Sequence, residues 1–154
     1  MAQSSPHVML VEARFYEDIA DEMARGAIEL FMGAGATYDR YEVPGAFEIP
    51  AAIACAVEGM DTSPEAPRFD GFVALGCVIR GETTHYDYVC QESARALMDL
   101  STQHRLALGY GILTCENRDQ AWARAAVDQG NKGAAAASAC LHMIDLKRSL
   151  GAGG

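Results

Sequence analysis

Gly71-Phe72-Val73-Ala74-Leu75-Gly76-Cys77, continuing as Val78-Ile79-Arg80-Gly81-Glu82-Thr83-Thr84-His85, decides the fold. The first part is a short apolar run without polar alternation, as in a strand buried on both faces. The second turns polar, carries a glycine, and opens a helical pattern from about His85 to Gln103 with Val89, Ala96 and Leu100. Strand, glycine-bearing turn and helix in that order make half of a crossover between parallel strands.

The same grammar extends in both directions. Upstream, Val8 to Ala13 is a second apolar run, and Tyr16 to Phe31 places Ile19, Met23, Ala27 and Phe31 on one helical face, closed by Gly33 and Gly35. Thr37 to Val43 alternates like a strand and stops at Pro44-Gly45, and a helix follows from about Phe47 to Glu58, with Pro50 in its first turn. Residues 61–68 form a polar, proline-containing loop. Downstream, Leu106 to Leu113 is the remaining strand. Asn117 and Gln120 match a helix-capping pair ahead of Trp122, and Asn131 starts a last helix whose Ala134–Ala139 face is small enough for close backbone packing. Four apolar strands separated by helices predict a single α/β domain, three αβα layers around a four-stranded parallel sheet, over residues 8–150. Residues 1–7 and 151–154 are expected to be flexible tails.

Composition narrows the function. The chain has 154 residues and is 50% hydrophobic, enough for one domain with a core. Its net charge is −9, and no basic run exceeds Lys147-Arg148, which speaks against nucleic acid as a partner. No apolar stretch approaches the roughly 18 residues of a spanning helix, and the first residues lack a secretory pattern, so a cytoplasmic protein without membrane partners is expected. Five cysteines and no C-x-x-C pair argue against a disulfide framework or a zinc site, and the cysteines read as small core residues.

Parallel strands put the segments after each strand at one end of the sheet, where α/β proteins bind ligands. Those segments are Arg14-Phe15-Tyr16, Pro44-Gly45-Ala46-Phe47-Glu48, Val78 to His85, and Thr114-Cys115-Glu116-Asn117. In the third, Gly81 permits a tight turn, and free amides plus a threonine hydroxyl at a helix start suit a phosphate. The helix dipole disfavours a charged His85 and a bound phosphate favours it, which suits a residue that moves protons near neutral pH. The plainer alternative makes Thr83 or Thr84 an N-cap and His85 a surface residue. Glu82 would repel a dianion with its side chain, while its amide could still donate. Phe15 fits either stacking on a flat heterocycle or capping the core edge. Phe47 reads as packing under its turn, and Glu48 either accepts from ligand hydroxyls or complements a helix dipole. Arg124 alone reads as a solvated arginine; His7, His104 and His142 as tail or helix-surface residues; Trp122 as packing; Met23 and Met32 as core fillers. Gly33 to Tyr38 is no dinucleotide loop, and no Walker loop, G-x-S-x-G elbow or metal spacing is present, so no cofactor is expected.

Val43-Pro44-Gly45-Ala46-Phe47-Glu48-Ile49-Pro50, Gly76-Cys77-Val78-Ile79-Arg80-Gly81-Glu82-Thr83-Thr84-His85-Tyr86-Asp87, Glu116-Asn117 and Gly130-Asn131-Lys132-Gly133 together resemble the lumazine synthase family, from Val8 to Leu150 and in register. Arg14-Phe15-Tyr16 resembles the icosahedral or pentameric type. The resemblance implies a flavodoxin-like winding and a cofactor-independent transferase at the penultimate step of riboflavin biosynthesis. Such an enzyme condenses 5-amino-6-(D-ribitylamino)uracil with 3,4-dihydroxy-2-butanone 4-phosphate to 6,7-dimethyl-8-ribityllumazine, phosphate and water. It also implies His85 as the catalytic histidine, and Phe15, Ala46, Phe47, Glu48, Cys77, Val78, Ile79 and Tyr110 around the ribitylaminouracil. Glu82, Thr83 and Arg124 would hold the butanone phosphate, with Lys132 as a further contact. Arg124 and Tyr110 would come from a neighbouring subunit of a homopentamer, on which a sixty-subunit shell can be built, with the N-terminal segment adding a strand to a neighbour's sheet. The rival readings are a non-catalytic flavin- or lumazine-binding module on the same scaffold and a structural shell protein.

Overall fold

The computed structural model describes residues 3–152. Four strands, β1 (His7–Ala13), β2 (Thr37–Val43), β3 (Gly71–Ile79) and β4 (Leu108–Cys115), pair in parallel in the order β2-β1-β3-β4. The apolar runs of β1 and β3 are the inner strands, while polar β2 and largely apolar β4 form the edges. An inner strand meets helices on both faces, and β2, the exposed edge, does not, whereas β4 still packs residues into both layers.

The helices are α1 (Glu17–Ala34), α2 (Ile49–Thr62), α3 (His85–Gln103), α4 (Arg118–Ala125) and α5 (Lys132–Ser149), with a single 3₁₀ turn at Ala46–Glu48 before α2. Alternate β1 residues serve different layers. Val8 and Leu10 pack with Ile19, Met23, Ala125 and Ala137 on the α1/α4/α5 side. Met9, Val11 and Ala13 pack with Ile49, Ile53, Val89 and Leu97 on the α2/α3 side. The result is the predicted three-layer αβα domain. Asn117 Oδ1 accepts from the Gln120 amide at 2.9 Å, and Gln120 Oε1 accepts from the Glu116 amide at 2.8 Å, the expected cap reached one residue further back.

Several boundaries and placements differ from the sequence-based expectation. Pairing of Ile79 with Cys115 carries β3 two residues beyond Cys77 and β4 to Cys115, because a parallel ladder continues as long as its neighbour does. Gly33 lies inside α1, and only Gly35, at φ 73°, caps it. Met32 is 69% exposed on α1's outer face, so of the two expected core methionines only Met23 is one. Cys55 is exposed and only Cys115 and Cys140 are buried. His7 is no tail residue: it opens β1, meets Thr37 Oγ1 at 2.7 Å and Asp39 Oδ2 at 2.9 Å, and stacks on Phe69. Gly151, at φ 75°, and Ala152 donate to Arg148 and Lys147 carbonyls and so extend the α5 cap. Residues 3–6 form no strand here, so the additional N-terminal strand is not among the described elements.

Two close approaches hold α5 in place. A Cβ on Gly109 of β4 would lie 2.0 Å from the Ala136 carbonyl oxygen, and one on Gly133 would lie 2.0 Å from that of Met23. The small-residue face expected from Ala134 to Ala139 thus packs on the sheet through Ala136 and Ala137.

Candidate active site

Strand order reverses between β1 and β3, and the segments after β1, β2 and β3 meet at that switch point. A cleft of about 500 Å³ there is lined by Pro44, Gly45, Ala46, Phe47, Glu48, His85, Tyr88 and Val89. Next to it, sharing Pro44, a second of about 400 Å³ is lined by Arg14, Phe15, Glu42, Val43 and Pro44. Phe15 is 75% exposed, its ring edge-on to Tyr16 at 5.0 Å, and Phe47 is 57% exposed. Both rings stand over the clefts, so neither caps the core, and the packing role expected for Phe47 is corrected. The 3₁₀ turn lifts Phe47 outward while Ala46 alone stays buried beneath it.

His85 is the first residue of α3; Thr84 holds the N-cap position without a side-chain cap, and the Thr83 hydroxyl accepts from the His85 amide at 3.3 Å. The amides of Gly81, Glu82, Thr83 and Thr84 donate to no protein acceptor among the described residues. Four exposed amides at the N-terminus of a long helix are what an anion needs. Gly81 is not in the left-handed region expected of a tight turn, and a Cβ there would meet nothing within 4 Å. Arg80 anchors the loop from below, donating to Glu116 Oε2 at 2.7 Å and Asp87 Oδ1 at 3.2 Å and lying 4.3 Å over the Tyr86 ring. With both carboxylates on it, Arg80 is not a free counter-ion.

The β3 residues divide by face. Val78 packs on the α2/α3 side, while Cys77 and Ile79 pack against the α1-side core, so Cys77 offers a ligand its backbone and not its sulfur. Burial pushes the Cys77 thiol up to about 12. Its thiolate fraction at pH 8 is then on the order of 10⁻⁴, against tenths for an ordinary thiol. Iodoacetamide at that pH is expected to modify Cys77 only after unfolding, as peptide mapping by mass spectrometry would show; native-state labelling would contradict the burial.

Tyr110, Arg124 and Lys132 are not brought to His85 within the chain. They line a separate cleft of about 350 Å³ on the β4 edge with Thr114, Ala135 and Ala139. Burial raises the Tyr110 phenol above its ordinary range, so it stands there as a neutral donor. The Gly130-Asn131-Lys132-Gly133 motif brings Arg124 and Lys132 together. Gly130 lies against the Arg124 backbone, where a Cβ would be 2.9 Å from its Cα, and donates to Ala123 O at 2.8 Å. Asn131, at φ 49°, turns the chain into α5. Arg124 Nη1 itself donates to Gln120 O at 3.0 Å.

Periodicity and motif spacing give no sign of Tyr88, which stands one turn after His85 in the same cleft. Glu12, a carboxylate 3% exposed at the end of β1, also escapes a reading by motif. A charge inside the apolar run Val8–Ala13 was its signal. Among the described residues no group of three or more His, Cys, Asp and Glu could hold a metal ion, and no helix is long and apolar enough to cross a membrane.

Comparison with known proteins bears on the whole chain. The family model described as 6,7-dimethyl-8-ribityllumazine synthase matches residues 5–148. The 6,7-dimethyl-8-ribityllumazine synthase 1 of Rhizobium meliloti (strain 1021) is 60% identical over 153 residues, covering 99% of each chain. The 6,7-dimethyl-8-ribityllumazine synthase of Agrobacterium fabrum is 56% identical over 96% of this chain and 99% of its own, and that of Bartonella tribocorum 54% over 97% and 95%. The motifs that line the three clefts lie inside the matched span, and by that match the chain belongs to the 6,7-dimethyl-8-ribityllumazine synthase family.

Proposed function

We propose that the protein forms 6,7-dimethyl-8-ribityllumazine from 5-amino-6-(D-ribitylamino)uracil and 3,4-dihydroxy-2-butanone 4-phosphate, in the cytoplasm, with sites shared between the subunits of a homopentamer. One observation carries this reading: the groups the reaction needs fall into incomplete clefts that the single chain does not bring together. Phe15, Phe47, Glu48 and His85 lie in the adjoining clefts at the β1/β3 switch point, and Tyr110, Arg124 and Lys132 lie on the β4 edge. A head-to-tail contact that sets one copy's β4 edge against the next copy's cleft completes each site and, closed by rotation, makes a ring.

In that site the pyrimidine stacks on Phe15, the backbone of residues 77–79 and the 46–48 turn hold the uracil and ribityl parts, and the phosphate sits on the amides around Glu82 and Thr83, met by the neighbour's Arg124 and Lys132. The 5-amino group attacks the ketone, water leaves to give the imine, inorganic phosphate is eliminated, and the ribityl-bearing amine closes the ring with loss of the second water. No oxidant or reductant is consumed. His85, beside the anion-binding loop, moves the protons these steps release and require. Holding both reactants together accounts for much of the remaining acceleration.

Mixing the purified protein with both substrates and following lumazine absorbance and fluorescence tests this directly. Formation well above the uncatalysed rate is expected. His85→Ala is expected to lower kcat about a hundredfold, and Phe15→Ala to raise KM for the pyrimidine several-fold. No acceleration, with tight lumazine or riboflavin binding, would favour a binding module instead. Equal steady-state constants for His85→Ala and the parent would remove the histidine from the mechanism.

A further inference from the structure

Glu12 is a buried carboxylate that the reaction does not use. It lies at the end of β1 with its side chain on the α1 face, 3% exposed, and its two oxygens accept three hydrogen bonds. Arg40 of β2 donates as a fork, Nε to Oε2 at 2.7 Å and Nη2 to Oε1 at 2.8 Å. Arg14 adds Nη1 to Oε1 at 2.9 Å, and its other terminal nitrogen pairs with Asp21 in α1. Two carboxylates and two guanidiniums make the group neutral, and it ties together the end of β1, edge strand β2 and the first turns of α1.

What this network holds is the backbone on either side of Phe15. Alternation along β1 places Val8, Leu10 and Glu12 on the α1 face, Arg14 follows them into the network, and Phe15 emerges at the cleft beside Val43 and Pro44. Tyr16 is fixed on the other side, where its carbonyl accepts the Ala20 amide at 2.8 Å as α1 begins. The Phe15 ring has little packing of its own beyond Tyr16, so its orientation depends on how firmly Arg14 and Tyr16 are held. A ring already oriented loses less freedom when a heterocycle stacks on it.

We propose that Glu12 is a positioning residue: through Arg14 and Arg40 it presents Phe15 to the heterocyclic substrate and sets the affinity for that substrate alone. This rests on the reading of the Phe15 cleft as the pyrimidine subsite. Glu12→Gln removes the charge at constant shape. Because an uncompensated guanidinium can impair folding, Glu12→Leu/Arg40→Leu removes the buried carboxylate together with its half-exposed fork partner, while Asp21 still compensates Arg14.

The test is steady-state kinetics on these variants, alone and combined with Phe15→Ala, together with hydrogen exchange of the amides of residues 14–17. Expected for the double variant are a roughly fivefold higher KM for ribitylaminouracil, an unchanged kcat and an unchanged KM for the butanone phosphate. Faster exchange at residues 14–17 is expected as well, and no further change in KM when Phe15 is already alanine. A folded double variant with the parent's pyrimidine KM, or equal loss for both substrates, overturns the proposal. A parent protein that makes no lumazine refutes the assigned reaction instead. The exchange result then decides alone whether Glu12 orders the Phe15 segment: faster exchange in the double variant supports this, and parent-like exchange overturns it.

Discussion

Gly133→Ala is expected to destabilise the protein by about 3 kcal/mol. At roughly 2–4 °C per kcal/mol for a chain of this size, the melting temperature falls by about 6–12 °C. The added Cβ would stand 2.0 Å from Met23 O, 2.8 Å from its carbonyl carbon and 3.0 Å from its Cα, all backbone atoms of α1 that no rotamer change can move. The whole of α5 must retreat, and with it Lys132. Alanine gains at most about 1 kcal/mol of helix propensity over glycine, and less at the second residue of α5 than in its middle. Gly33→Ala is the matched control, because a Cβ there meets nothing within 4 Å inside α1. It should be neutral or raise stability by up to about 1 kcal/mol. Calorimetry at one protomer concentration checks both, since assembly would otherwise shift the comparison. Gly133→Ala as stable as Gly33→Ala would mean the helices do not approach this closely.

The second large effect concerns Arg124. Removing a guanidinium that donates to a phosphate costs on the order of 1.5–3 kcal/mol, so Arg124→Ala should lower kcat/KM for the butanone phosphate by about a hundredfold, with the pyrimidine constant little changed. The sharper outcome comes from mixing. If each site takes His85 from one copy and Arg124 from the next, unfolding and refolding His85→Ala together with Arg124→Ala in equal amounts should restore activity neither variant has alone. In a ring filled at random, about one site in four then joins an intact histidine to an intact arginine. Activity near a quarter of the parent's is therefore expected. A mixture no better than the mean of its components would place both residues of a working site in one chain, contrary to the separation of the two clefts.

Much of this was legible in the chain before any coordinates. The apolar runs at Val8–Ala13, interrupted by Glu12 alone, and at Phe72–Leu75 mark strands that meet helices on both faces, and they are the inner strands of the sheet. The helix expected from His85 to Gln103 has those bounds, and the Asn117–Gln120 cap forms as its residue types require. These features are local: periodicity, cap chemistry and turn residues act over a few positions, so a linear pattern encodes them. Local patterns misplaced Met32, whose apolar side chain says nothing about whether another helix covers it, and Phe47, whose direction depends on the 3₁₀ turn beneath it.

The order of elements, the parallel sheet and the end of the sheet where the clefts lie were set by apolar periodicity and punctuation alone, because burial and turn formation are decided residue by residue along the chain. Tertiary structure alone decided the rest. It put Arg40 on Glu12 across 28 residues, set Gly133 against Met23 and Gly109 against Ala136, and separated Arg124 from His85 to opposite sides of the sheet. Each depends on the register of strands and the distance between helices far apart in sequence. That is why a charge inside β1 and a glycine inside α5 show their purpose only when the layers have closed around them.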